Sequence, residues 1–280
     1  MRISVVIPTH NRRDTLRRAL QSIFAQTSPV DDVIVIDDGS DDASAAMVEA
    51  EFPDVRLIGQ SNLGVSAARN RGIAAAHHPW IALLDSDDSW QPDKIEAIRE
   101  AENNHPGFVL YHSDEIWIRH GRRVNPMQKH AKQGGWIFRH CLPLCAISPS
   151  ASVISKSVLD ELGGFDEALP ACEDYDLWLR LCHRYPVHYI DRHLITKYGG
   201  HDDQLSRRYP AMDRFRVRAL HRLLQQESLS EQDFEAARSM LLTKLDILIK
   251  GARKHDNTAL LAEAEPLQDF WREQARAAAC

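Results

Sequence analysis

The first ninety residues alternate short β-branched runs with helix-length amphipathic segments, and that order constrains the fold more than any other feature. Ile3-Ser4-Val5-Val6-Ile7 is a run of the kind buried on both faces of a sheet. Asn11 or Asp14 can cap the next segment, where Leu16, Ala19, Leu20, Ile23 and Phe24 recur on one helix face. Val33 to Ile36 is a second strand. Ser40 and Asp41 are placed to open a second helix, Val55 to Ile58 forms a third strand, and a third helix covers about Val65 to Ala76. Trp80 to Leu84 is a fourth strand, and Pro92 suits the first turn of a helix reaching about Glu102. Strands separated by helices of roughly ten to fifteen residues predict βαβ units. The expected class is α/β, a mostly parallel central sheet flanked by helices.

From Gly107 to Tyr198 the pattern loosens. Short strands are expected over 108–111, 115–119, 151–154 and 188–197, with helices over 156–162 and 173–184. After about Ser206 only helical patterns remain. Phe215, Ala219, Leu220, Leu223 and Leu224 share one face; Phe234, Ala237, Leu241, Leu245 and Leu248 share another, at roughly 3.5-residue spacing. The latter seam either joins two copies into a homodimer or packs on its own domain. Between residues 207 and 222 six arginines (Arg207, Arg208, Arg214, Arg216, Arg218, Arg222) face a single acid, Asp213. That charge suits either peripheral contact with anionic lipid or a solvated helix face.

Composition excludes several classes. At 44% hydrophobic and 26% charged residues, the 280-residue chain has material for a core and is neither disordered nor collagen-like. No apolar run approaches the roughly 18 residues that cross a bilayer. Ile3 to Ile7 is too short for a signal-peptide core. A cytoplasmic protein is expected, at most resting on the inner face of the membrane. A formal charge of −6 argues against nucleic-acid binding. The five cysteines (Cys141, Cys145, Cys172, Cys182, Cys280) include no C-x-x-C and read as reduced thiols. A zinc site from His140, Cys141 and Cys145 is the alternative, at unusual spacing.

In α/β sheets ligands bind beyond the carboxyl ends of the strands. There the chain places Thr9-His10-Asn11, Asp37-Asp38-Gly39-Ser40 and Asp85-Ser86-Asp87-Asp88. Two acidic clusters at neighbouring strand ends are unfavourable unless something positive binds. Alternation lets Asp85 and Asp87 face one crevice while Ser86 turns away. Hard oxygen donors without clustered Cys or His select Mg2+ or Mn2+. Such a metal completes its shell with waters and substrate phosphates, so the crevice reads as a metal–diphosphate site. An Asp-Ser-Asp-Asp run is also an ordinary turn and helix cap; the nearby Asp37-Asp38 favours the metal. Neither a P-loop nor a G-x-G-x-x-G follows strand one, and no nucleophile elbow or Ser/His/Asp triad is evident.

Several stretches carry a combined signature. They are Val5-Val6-Ile7-Pro8-Thr9-His10-Asn11-Arg12, Val35-Ile36-Asp37-Asp38-Gly39-Ser40, Asn62-Leu63-Gly64 with Ala68-Arg69-Asn70-x-Gly72, and Leu84-Asp85-Ser86-Asp87-Asp88-x-Trp90-x-Pro92. Gly163-Gly164-Phe165-Asp166-Glu167 and Glu173-Asp174-Tyr175-Asp176-Leu177-Trp178 also belong to it. Together these stretches resemble the family 2 glycosyltransferases of GT-A fold, and the likeness covers roughly residues 1 to 205. It implies a GT-A domain over 1–205, with a nucleotide-binding half (1–105) and an acceptor and catalytic half (106–205), followed by a helical C-terminal extension (206–280). The implied reaction moves a sugar, with inversion, from a UDP- or dTDP-sugar to a hydroxyl of a sugar or lipid-linked acceptor. Cell-surface polysaccharide or glycolipid synthesis is the implied setting.

By the same resemblance Pro8, Thr9 and Asn11 would line the nucleotide pocket. Asp38 would accept from the pyrimidine N3–H, and Arg69 would lie against base or phosphates. Asp85 would approach the ribose, Asp87 would ligate Mn2+ or Mg2+, and Asp174 would be the catalytic base. His201 would approach metal or diphosphate, with Gly199 and Gly200 allowing close backbone approach; as one of fourteen histidines it can also be a surface residue. The chemistry is coherent: a bound cation neutralises the leaving diphosphate, and a carboxylate takes the acceptor proton. The plainer reading of Asp174, a helix N-cap or first-turn residue, carries less weight in this motif context. Two alternatives are a nucleotide-sugar-forming nucleotidyltransferase, for which Asn11-Arg12-Arg13 lacks the glycines, and a non-catalytic nucleotide-binding module, against which Asp38, Asp87 and Asp174 argue.

Overall fold

The computed structural model describes residues 1–125, 127–200 and 209–278. The expectations placed on His201, Arg207 and Arg208 lie outside the described residues. Strands β1 (Ile3–Thr9), β2 (Asp32–Asp37), β3 (Arg56–Gly59) and β4 (Trp80–Leu83) lie parallel in the order β3-β2-β1-β4. Helices α1 (Arg13–Phe24), α2 (Ser44–Glu51) and α3 (Val65–Ala75) connect them. The apolar runs are buried on both faces because each face has its own core. Val6, Ile34 and Ile36 pack with Ala68 and Ile73 of α3, whereas Val5, Ile7, Val33 and Val35 pack with Leu16, Leu20 and Ile23 of α1. Gly72 permits the close approach of α3 to β1: a Cβ there would sit 2.3 Å from the Val6 side chain.

The chain continues through β5 (Ser89–Trp90), α4 (Lys94–Asn104), β6 (Leu110–Arg119), β7 (Arg122–Val124), α5 (Phe138–Cys141), β8 (Ser152–Ser155), α6 (Lys156–Glu161), α7 (Glu173–Cys182) and β9 (His188–Gly199). Strand β8 inserts antiparallel between β4 and β6, while β9 runs parallel to β6 and carries β5 at the sheet edge. The sheet is mixed, with most paired residues in parallel ladders. The fold is the expected α/β class.

Some boundaries differ from expectation, each for a local reason. Helix α2 starts at Ser44 rather than Ser40, because side chains have captured the intervening donors. Asp37 accepts from Ser40 N–H at 3.1 Å, Asn11 from Asp41 N–H at 2.8 Å and Asp42 from Ser44 N–H at 3.0 Å. Pro92 precedes α4 rather than entering it. The two strands expected over 108–111 and 115–119 are one strand, β6, whose register with β9 shifts around Asp114, where the Asp114 carboxylate accepts from Glu115 N–H at 2.8 Å.

Three helices follow: α8 (Asp213–Gln226), α9 (Glu231–Lys254) and α10 (Thr258–Ala278). Ala237, Leu241, Leu245 and Leu248 are buried in the same core as Leu220, Phe138, Trp178 and Ile34. The seam offered as a dimer face is thus covered by the chain's own helices. Two of the four described arginines of the run are held in ion pairs. Arg222 donates to Asp166 at 2.5 Å and to Asp176 at 2.7 Å, and Arg216 donates to Asp213 at 2.9 Å. Among the described residues no helix is long and apolar enough to cross a membrane. The zinc alternative is not met: His140 bonds the Ala131 carbonyl, Cys141 sits beside Cys182, and Cys145 turns to Asp174.

Candidate active site

A cavity of about 910 Å³ opens at the carboxyl ends of β1, β2 and β4. Pro8 and Thr9 reach it at the end of β1, Asn11 from the following loop, Asp38 from the end of β2, Arg69 from α3, and Asp85 and Asp87 from the loop after β4. Seven of the nine residues singled out in the sequence thus meet in one hollow. Asp174 is not among the lining residues, and His201 is outside the described residues.

The carboxylate of Asp38 is 4% exposed and almost filled. It accepts from Gln60 Nε2 and from the N–H groups of Leu63 and Gly64, each at 2.8 Å. A carboxylate offers about four lone-pair sites, so about one remains for a ligand donor. His10, which also lines the cavity, bonds the Asp38 carbonyl through Nδ1 at 2.9 Å. A carbonyl only accepts, so Nδ1 carries the hydrogen, and in the neutral ring Nε2 accepts from Asn62 Nδ2 at 3.2 Å.

Arg69 is a bracket. Its guanidinium donates to Asp85 at 2.7 Å and to Glu173 at 2.6 Å. Burial disfavours its charge, but Asp85 and Glu173 outweigh that and hold it firmly protonated. Burial, followed by the adjacent Asp174, pushes the Glu173 carboxyl up against the pull of Arg69. Through this bracket the β4 loop is tied to the first turn of α7. There the Asp174 carboxylate accepts from Tyr175 N–H at 2.7 Å and from the Cys145 thiol at 3.0 Å.

Behind Asp85 and Asp87 lies Asp88, 2% exposed. It accepts from the Ser150 hydroxyl at 2.6 Å and from Tyr198 N–H at 3.2 Å. Burial raises its carboxyl well above the usual range, and Asp87 and Asp85 add repulsion that Lys197 only partly offsets. Asp87 pairs with Arg12, and Ser86 is buried. Lys197, on the cavity wall, is penalised by burial yet kept charged by Glu115, Asp88 and Asp85. Among the described residues two buried polar atoms in this region have no hydrogen-bond partner, Thr9 Oγ1 and Arg69 Nε. Among the described residues no group of three or more His, Cys, Asp or Glu is arranged to hold a metal by itself.

Sequence reasoning gave no role to His10, Lys197, Tyr198 or Tyr209, all of which line the cavity. His10 lay inside a motif and was available. Lys197 has no local signal, because its place on the wall depends on β9 pairing with β6.

A parallel half-sheet whose strand ends converge on one polar cavity is the arrangement of α/β proteins that take ligands beyond the carboxyl ends of their strands. The Glycosyl transferase family 2 pattern matches residues 4–163, and the chain belongs to that family. An uncharacterized glycosyltransferase of Rickettsia felis is 28% identical over 218 residues, covering 74% of this chain and 35% of that protein. The chain therefore spans about a third of the length of that relative. Succinoglycan biosynthesis protein ExoO of Rhizobium meliloti is 44% identical over 100 residues, 35% of this chain and 29% of ExoO. Residues 1–349 of S. aureus TarS in complex with UDP-GlcNAc superpose with a TM-score of 0.73 at 17% identity, covering 94% of this chain and 79% of that one. Mannosyltransferase PcManGT from Pyrobaculum calidifontis, with GDP-Man and Mn2+, gives 0.63 at 15% identity, covering 99% and 86%. These likenesses establish the GT-A fold.

Proposed function

We propose that this chain transfers a sugar, with inversion, from a UDP- or dTDP-sugar to a hydroxyl of a saccharide or lipid-linked acceptor in cell-surface polysaccharide or glycolipid synthesis. The observation that carries this reading is the single cavity shared by Asp38, Arg69, Asp85 and Asp87, bracketed through Glu173 to the helix turn that bears Asp174. ExoO supports the polysaccharide setting, and the UDP-GlcNAc held by TarS supports the donor class.

Pro8, Thr9 and Asn11 line the nucleotide end, and the remaining lone pair of Asp38 takes the base N–H. Asp85 approaches the ribose. Arg69 lies against base or phosphates with the N–H groups that Asp85 and Glu173 leave open. A divalent cation fits this site. Asp85, Asp87 and Asp88 crowd negative charge onto one wall, where burial first and then the neighbouring Asp87 and Asp85 raise the Asp88 carboxyl, and the donors are hard oxygens. Asp87 would hold Mn2+ or Mg2+, with phosphate oxygens and water completing the shell; bound there, the cation would neutralise the departing diphosphate. PcManGT with GDP-Man and Mn2+ supports this assignment. Asp174 removes the acceptor proton as the hydroxyl attacks C1 in line.

Titration calorimetry with UDP, dTDP and GDP, each with and without Mn2+, tests the site. UDP or dTDP is expected to bind at least tenfold more tightly with metal. Binding that ignores metal removes the cation site, and preference for GDP removes the pyrimidine assignment. Asp174→Asn is expected to lower transfer by about a thousandfold or more while leaving UDP affinity within about twofold. Near-normal turnover would place the base elsewhere.

A further inference from the structure

Asp174 has an unusual partner for a carboxylate proposed to move protons. Among the described residues it forms no ion pair; its oxygens receive only the Tyr175 N–H at 2.7 Å and the Cys145 thiol at 3.0 Å. The segment carrying Cys145 is stapled to α7 on both sides of the thiol. Tyr175 Oη donates to the Leu142 carbonyl at 2.6 Å, and Trp178 Nε1 donates to the Ile147 carbonyl at 2.9 Å. Both donors are fully buried side chains of the helix that bears Asp174. The thiol is therefore aimed by the same helix whose carboxylate it meets.

Cys145 has a second acceptor in reach, the Ile147 carbonyl at 3.1 Å, and only one hydrogen to give. That carbonyl already receives the Trp178 hydrogen, and a charged acceptor makes the stronger bond, so the hydrogen goes to Asp174. Burial first, then the neighbouring Asp174, holds the thiol protonated, with Lys132 and Lys197 opposing from the surrounding wall. Glu173, itself paired with Arg69, also lies beside Asp174.

We propose that Cys145 is a positioning residue for the general base: its thiol fixes Oδ2 of Asp174 and leaves the remaining lone pairs to the acceptor hydroxyl. This rests on the reading of Asp174 as that base. A thiol is a weak donor. It orients the carboxylate while quenching its basicity less than an arginine or a string of amides would, which a proton acceptor needs.

Two measurements test the assignment. The first is the S–H stretching band in infrared difference spectra of the intact protein. The Cys145→Ala difference isolates the Cys145 band, which is expected to move to higher frequency in Asp174→Ala as the charged acceptor gives way to the weaker, already occupied Ile147 carbonyl. A band that stays in place overturns the proposal. The second is the pH profile of UDP release from UDP-glucose and UDP-N-acetylglucosamine with water as acceptor, which calls on the same base. In Cys145→Ala, kcat is expected to fall roughly tenfold, with UDP affinity unchanged and the acid limb of the profile moved up by roughly one pH unit. Cys145→Ser restores kcat to within about threefold and brings the limb back to or below its original place, since a hydroxyl is the better donor. A purely packing role would move stability in both variants and leave the limb fixed; coincident limbs overturn the proposal. If the infrared band moves but Asp174→Asn still turns over, the hydrogen bond stands and the assignment of the base fails.

Discussion

Lys94 is fully buried, its ammonium 3.0 Å from the Ala151 carbonyl and 5.2 Å from the Trp90 ring centroid. Burial alone pulls its pKa from 10.5 to about 7. Between those values the unfolded chain binds a proton that the native state does not, so this group's contribution to stability rises with pH across that window. Below about pH 7 the native protein carries the buried charge at full cost. Lys94→Met is therefore expected to be more stable than the parent at pH 6, by on the order of 2 kcal/mol after the unpaired Ala151 carbonyl is allowed for. The gain should shrink toward zero by pH 10. Urea melts of both proteins at the two pH values check this, and a pH-independent difference would refute it. His112 shows the matching behaviour at the acid end. Burial first, then Lys132, lowers its pKa to about 3, so stability is lost as pH falls from 6.5 toward that value. At this scale legibility in the sequence was uneven. Asp38, Asp85 and Asp87 sit in motifs directly after apolar runs, where the chain itself marks a strand end. Cys145 and Lys197 are placed by tertiary packing, which no short window encodes.

Element types were more legible than element edges. The strands of the parallel half and helices α1, α3 and α7 follow from periodicity, because burial on two faces or one stripe leaves a fixed spacing. Helix α2 began late because polar side chains from two other segments took its first donors, an event that a propensity cannot register. The docking of α8 was also unmarked in the sequence: a run of arginines looks like a surface until Asp166 and Asp176 are brought beneath it. Arg222 bridges those two aspartates, and Asp176 is 2% exposed. Removing the cation leaves a buried carboxylate with Arg180 as its one charged partner among the described residues. Arg222→Met is expected to lower unfolding free energy by about 2 kcal/mol, with Arg222 itself partly solvated. UDP affinity should be unchanged. Chemical denaturation and calorimetry on the same sample separate the two effects; an unaltered midpoint would show that the bridge does not hold the helix.

At the scale of the molecule, the C-terminal helices share one continuous core with the sheet. Leu220, Leu241, Leu245 and Trp271 belong to the same buried cluster as Val6, Ile34 and Trp178. The sequence suggested an extension beginning near residue 206, and its helical character was readable. Its role as one wall of the core was not, since an amphipathic stripe does not name what it covers. Truncation after residue 205 is expected to expose that wall and give an aggregating product without a cooperative melt. Size-exclusion chromatography and near-UV dichroism check this; a monomeric, cooperatively melting fragment would show the helices to be separable.

The strand order carries a consequence for how the protein is made. The open edge of β4 is closed by β8, pairing Trp80 with Ser155 across more than seventy intervening residues. While the nascent chain emerges from the ribosome, the parallel half can assemble early, but its β4 border stays bare until that late segment is translated. An unpaired apolar border is a template for association with other chains. Biogenesis of this protein therefore includes an interval during synthesis in which shielding by chaperones would matter most.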